Sequence, residues 1–125
     1  MRRRLVSVLA AALLGGCGGG IIWTLDNDDP PSVSLAVSPT TAAPGEVVRL
    51  VAAASDDDFV DGVDFYRIDP DGRTFWVGGD GRGPWEIDTV IPTNIARGNT
   101  VWFYARATDS VGQQSDSRLV AVTVQ

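Results

Sequence analysis

Two kinds of position alternate along residues 100–108 (T-V-W-F-Y-A-R-A-T). Val101, Phe103, Ala105 and Ala107 are wholly apolar, whereas Trp102, Tyr104, Arg106 and Thr108 each carry a polar group. Successive side chains of an extended chain point to opposite faces, so this spacing predicts a β-strand with one face to a core. Residues 109–112 (D-S-V-G) then read as a turn, and residues 117–124 as a last strand returning against the first.

The same two-residue period recurs upstream in short runs cut by Gly, Pro and Asp. Strands are predicted over residues 33–37 and 46–55, the second with Val48, Leu50, Ala52 and Ala54 on one face. A third covers residues 63–69, with Val63 and Phe65 inward and a bulge beyond Arg67 able to bring Ile68 in. The tetrapeptide D-P-D-G at residues 69–72 has turn chemistry, and residues 74–77 pair back across it. A glycine-rich loop over residues 78–84 leads to a strand at residues 85–91, with Trp85, Ile87 and Thr89 on the core side. No stretch beyond the N-terminus has a 3.6-residue apolar period, so the fold class is all-β, a sandwich of about seven antiparallel strands. Small residues at Ala52, Ala54, Ala105 and Ala107 let two sheets approach around Phe65, Trp85, Ile87 and Phe103.

Composition narrows the chemistry. The chain of 125 residues has no lysine and no histidine; its ten basic residues are all arginine. Lack of histidine removes Ser-His-Asp and Cys-His catalysis and the commonest zinc ligand. Cys17 is alone and forms no internal disulfide. A net charge of −6 argues against a nucleic-acid partner, which needs a basic face. The loop G-G-D-G-R-G (residues 78–83) lies between strands with no helix N-terminus to meet a phosphate. Glu86 and Asp88 share an outward strand face, but no insertion surrounds them to form a pocket. The reading is therefore not an enzyme.

The N-terminus reads as an address. Arg2, Arg3 and Arg4 precede ten apolar residues, 5–14, too few to span a bilayer as a helix. With Leu14-Gly15-Gly16-Cys17 following, the segment resembles a bacterial lipoprotein signal peptide with its lipobox. That resemblance implies residues 1–16 as signal, acyl chains on Cys17, and attachment to a membrane through that lipid. Loss of the three N-terminal arginines leaves seven basic against sixteen acidic residues, a net charge of −9. Gly18 rather than aspartate follows the cysteine, which favours an outer membrane where one exists. Residues 17–31 form the tether, with a glycine triplet at 18–20 and D-N-D-D-P-P-S at 26–32. The apolar island at residues 21–25 either lies at the membrane interface or docks on the domain as an edge strand. The folded domain is placed at residues 32–125.

With the strands placed, the segments V-V-R-L-V-A-A-A-S-D-D (47–57), V-D-G-V-D-F-Y (60–66), G-P-W (83–85) and Y-A-R-A-T-D-S-V-G (104–112) resemble the bacterial immunoglobulin-like domains of secreted and surface proteins. The resemblance implies an immunoglobulin-like β-sandwich. It does not fix a function, since that scaffold carries adhesion, spacing and sugar-binding roles.

Two constellations are candidates for a site. Asp56, Asp57 and Asp58 end one strand and Asp109 ends another at the same pole, with Asp61 and Asp116 nearby. Converging carboxylates can hold calcium, which takes six to eight oxygen ligands. Alternatively, Asp56 and Asp109 cap turns by hydrogen bonds to backbone. The second constellation is aromatic: Trp102, Tyr104, Tyr66 and Trp76 fall on outward positions of adjoining strands. Such a patch seats a glycan or an envelope protein. Alternatively it is covered by the stems of Arg67, Arg73 and Arg106, or by residues 21–25. The expected role is a lipid-anchored, extracytoplasmic, non-catalytic interaction or structural module of the cell envelope.

Overall fold

A computed structural model describes residues 29–57 and 59–125. The signal segment, Cys17, the island at residues 21–25 and Asp58 lie outside the described residues. Nine strands follow in chain order: β1 (Ser32–Ser38), β2 (Thr41–Ala42), β3 (Val47–Ser55), β4 (Val60–Ile68), β5 (Thr74–Asp80), β6 (Trp85–Val90), β7 (Thr100–Asp109), β8 (Gln114–Asp116) and β9 (Val120–Val124). They form two sheets. One has the order β1-β3-β6, and the other β2-β9-β7-β4-β5 with β8 also paired to β7.

The inward rows are those the alternation predicts. Val48 and Leu50 of β3, Val63 and Phe65 of β4, and Val101, Phe103, Ala105 and Ala107 of β7 are all buried. Phe65 and Phe103 are the largest fully buried side chains, and Trp85, Ile87 and Val33 pack against the same core from the smaller sheet. Alanines beside them are what give two bulky rings room between closely packed sheets. The turn at residues 69–72 also forms as predicted. The Gly72 N–H donates to the Asp69 carbonyl at 2.8 Å, and Gly72 adopts φ 89°, open to glycine without a Cβ penalty.

Four features differ from the sequence reading. The stretch beginning at Gly78 is not all loop: β5 runs on to Asp80, opposite Val63. Gly78 is there because a Cβ would stand 2.9 Å from the Ile87 side chain of the facing sheet. The bulge falls on β5, not beyond Arg67 of β4. Phe65 faces Gly78 and Tyr66 faces Trp76, leaving Val77 as the extra residue and letting it pack on the core. Against β7 the extra residue is Asp61, between Val60↔Asp109 and Gly62↔Thr108, so Asp61 belongs to a strand. The final strand is broken at Ser117, whose hydroxyl takes the place of a ladder carbonyl. Its Oγ accepts the Ala105 N–H at 2.9 Å while its own N–H donates to the Ala105 carbonyl at 2.8 Å.

β7 is the central strand of the larger sheet, paired with β4 on one side and with β8 and β9 on the other. Phe103→Ala empties a site wholly closed to solvent and should cost about 3–5 kcal/mol in denaturant unfolding. A cost below about 1 kcal/mol would contradict the assignment of this face to the core.

Candidate functional site

The acidic pole is built by the ends of β3 and β7. The inward phase of β7 continues past Ala107 to Asp109, which is only 2% exposed. A carboxylate at that depth needs donors, and the turn after β7 supplies them. Asp109 Oδ1 accepts the Val111 N–H at 3.0 Å and the Gln113 N–H at 2.8 Å, while the Asp109 N–H donates to the Gln113 carbonyl at 2.9 Å. Asp109 thus acts as the turn-capping residue, and its Oδ2 is buried without a hydrogen-bond partner. Asp56 Oδ2 is buried in the same condition. Burial is the main reason that the Asp56 carboxyl is pushed up to about 6. Its hydrogen bond with the Asp57 side chain and the negative charges of Asp57 and Asp109 act in the same direction. The structure therefore brings Asp56, Asp57 and Asp109 within electrostatic reach, while Asp61 sits on the bulge and Asp116 lies on β8, bound to an arginine. Among the described residues no group of three or more acidic or cysteine side chains is arranged to hold a metal ion.

The aromatic constellation lies on the outer face of the larger sheet. Tyr66 pairs with Tyr104 across β4 and β7 and with Trp76 across β4 and β5, so three rings form one row. The tyrosine rings stack with centroids 5.0 Å apart and planes 16° from parallel. Arg106 lies over both, its guanidinium carbon 5.2 Å from the Tyr66 centroid and 5.9 Å from that of Tyr104. Asp116 of β8 fixes that guanidinium through two hydrogen bonds, at 2.7 and 3.1 Å. The tyrosines are half-buried under this lid, and burial raises the Tyr104 hydroxyl above its ordinary range. Among the described residues the tryptophans are not covered: Trp76 is 62% exposed and Trp102 39%. Sequence alternation places all four rings on one face, but only the tryptophans offer an open surface. Arg67 covers Phe75 at 4.9 Å, not one of the four, and Arg73 turns to Asp71 at 3.1 Å.

Asp64 belongs with this face, although the sequence reading passed it over. Its Oδ1 accepts the Trp76 indole N–H at 3.0 Å, so the exposed ring is held in place. The signal was available, since Asp64 stands two residues before Tyr66 and shares its face. Glu86 and Asp88, read as a pair without a pocket, instead clasp Arg49, which reaches Asp88 at 2.9 and 3.3 Å and Glu86 at 3.4 Å. The hydrogen bond and charge of Arg49 hold the Asp88 carboxyl below its usual range.

The state of Asp56 predicts a pH effect with a definite sign. Its carboxyl goes from an ordinary 3.8 to about 6, so the folded chain holds a proton there that the unfolded chain has released. Stability from this group therefore falls as pH rises from about 4 through about 6. In melting curves, Asp56→Asn should gain little over wild type at the lower end of this window and most above it. A gain independent of pH, or none, would contradict this account of the pole.

No protein-family model matches the chain, and no curated protein sequence matches it. Solved structures do. A PKD domain of an M14-like peptidase from Thermoplasmatales archaeon SCGC AB-540-F20 superposes with a TM-score of 0.53 at 22% identity, covering 78% of this chain and 98% of that domain. The sporulation control protein Spo0M from Bacillus subtilis gives 0.55 at 10% identity over 78% of this chain and 50% of its own. The pectate lyase Pel3 from Pectobacterium carotovorum gives 0.50 at 10% identity, and the match spans only 27% of that enzyme. At these identities the likeness speaks to fold alone. The described residues form an immunoglobulin-like β-sandwich similar to a PKD domain.

Proposed function

We propose that this chain is a lipid-anchored, extracytoplasmic lipoprotein whose sandwich serves as a non-catalytic interaction module of the cell envelope. The anchor is Cys17, exposed as the first residue when residues 1–16 are removed, and residues 17–31 tether it to the domain. What supports the address is the order of charged start, ten-residue apolar run and Leu14-Gly15-Gly16-Cys17. What supports the module is one observation: two uncovered tryptophans flank a pinned pair of tyrosines on the outer face of a sheet. Rigid aromatic surface is the part of a protein face that contributes most to recognition per residue ordered. The outer membrane is the proposed location where the cell has one.

A glycan is the second reading of the same face, since the uncovered Trp76 and Trp102 are flat platforms for a sugar ring. A glycan array tests that reading, and pull-down from an envelope extract tests a protein partner. The anchor is tested by expressing the full chain in a bacterial host with radiolabelled palmitate. Label should appear on the wild type and vanish from Cys17→Ala, which should move from the membrane fraction to the soluble one. Labelling that survives Cys17→Ala, or no label on either, would overturn the anchor.

A further inference from the structure

Beside the aromatic row, the outer face of β4 and β5 opens into a cleft of about 390 Å³. Trp76, Gly79 and Thr108 line it together with Asp61, Asp64 and Asp80. We propose that this cleft binds a cationic side chain, an arginine or lysine presented by a basic peptide segment of a partner protein. The proposal rests on reading the domain as an interaction module, and is independent of the anchor on Cys17.

Three observations carry it. The first is charge. Arginines elsewhere are committed to acids: Arg49 to Asp88 and Glu86, Arg67 to Asp69, Arg73 to Asp71, and Arg106 to Asp116. Among the described residues, none of these ion pairs includes Asp61, Asp64 or Asp80; Arg106 stands opposite Asp64 in the register, but its guanidinium is bound to Asp116, so three carboxylates share one cleft with no ion-pair partner. The donors they meet among the described residues are neutral: the Trp76 indole N–H on Asp64, and the Arg82 backbone N–H on Asp80 at 3.1 Å. The second is the ring. Trp76 is 62% exposed yet fixed by its bond to Asp64, which presents a π-face beside negative charge. That combination favours an organic cation over a neutral ligand, because ring quadrupole and carboxylates attract the same group. The third is space. A Cβ at Gly79 would stand 2.6 Å from Asp64 Oδ1, so glycine there leaves both the carboxylate and the cleft open. Carboxylates too dispersed to form a metal-holding group suit a planar guanidinium or an ammonium on a stem better than a bare ion.

A peptide is the source that the topology favours. β5 is the last strand in the larger sheet's order, so among the described residues its outer side has no strand partner and an extended segment has access beside the cleft. The overall charge of −6 draws basic segments at long range.

The test uses the full chain in non-ionic detergent, with its four tryptophans labelled at the indole nitrogen and Trp76 assigned through Trp76→Phe. Two short peptides are titrated, one with two arginines and one with citrulline in their place, alongside free arginine amide and a neutral oligosaccharide. The arginine peptide should move the Trp76 resonance and saturate, weaken as salt is raised, and bind more tightly than arginine amide. Affinity should fall about tenfold in Trp76→Ala and similarly in the double variant Asp61→Asn/Asp80→Asn. Val47→Ala, at an exposed position of β3 in the smaller sheet, should bind as wild type does. An unmoved Trp76 resonance at millimolar peptide would overturn the proposal, as would equal binding of the citrulline peptide. Arginine amide binding as tightly as the peptide would overturn the peptide source. Loss of binding in Val47→Ala would overturn the cleft, and a neutral oligosaccharide that shifts both Trp76 and Trp102 would overturn it while leaving the wider aromatic face as the module's contact surface. Melting curves of each variant establish that it is folded.

Discussion

The two-sided use of β7 is the constraint on which the rest depends. Its inward row fills the space between the sheets with Val101, Phe103, Ala105 and Ala107, and no water reaches any of them. Its outward row supplies Trp102, Tyr104 and Arg106 to the aromatic face of the larger sheet. Pairing register ties the two together, because a slip of one residue would exchange the rows. The core therefore determines where the contact surface lies. The half-buried Tyr66–Tyr104 pair is held from below by the sheet and from above by Arg106 and Asp116, so this part of the face is preorganised.

Electrostatics divides the surface into two kinds of carboxylate. Those opposite an arginine in the register are satisfied, as Asp88 and Asp116 are on β6 and β8. Those at the pole and at the β4–β5 edge are the other kind. Asp64 also has Arg106 opposite it in the β4–β7 register, but that guanidinium turns to Asp116 and leaves Asp64 to the Trp76 indole. At the pole the consequence is a carboxyl that holds its proton well above the ordinary range, since burial and two like charges act together on Asp56. At the edge the carboxylates face solvent around an exposed indole, and their consequence is for binding rather than for stability.

Much of the fold was legible because period-two alternation is a direct statement of burial. Every inward residue assigned to β7 is buried, and the immunoglobulin-like sandwich read from residues 47–57, 60–66 and 104–112 is the one that forms. What was not legible depends on atoms that no local pattern contains. β2 has two residues, too few to alternate, and owes its existence to parallel pairing with Thr123 and Val124. The Ser117 break exists because a side-chain hydroxyl competes for the Ala105 N–H. The β5 bulge at Val77 adjoins Gly78, whose close approach to Ile87 on the other sheet no local pattern reveals. For the site, alternation placed Tyr66, Trp76, Trp102 and Tyr104 together, but which rings an arginine covers is decided by register between β4, β7 and β8. The cleft at Trp76 was not foreseen for the same reason, whereas turn capping by Asp109 was one of the two readings the sequence offered.

Native-state hydrogen exchange tests the central claim most directly, because it reads β7 residue by residue. Backbone amides from Val101 to Ala107 should exchange only by global unfolding and define the slowest set in the domain, with those of the edge strand β5 exchanging by smaller openings. Amides of β7 that exchange as fast as those of β5 would contradict the account, since the strand joining core to contact face would then open independently of the sandwich.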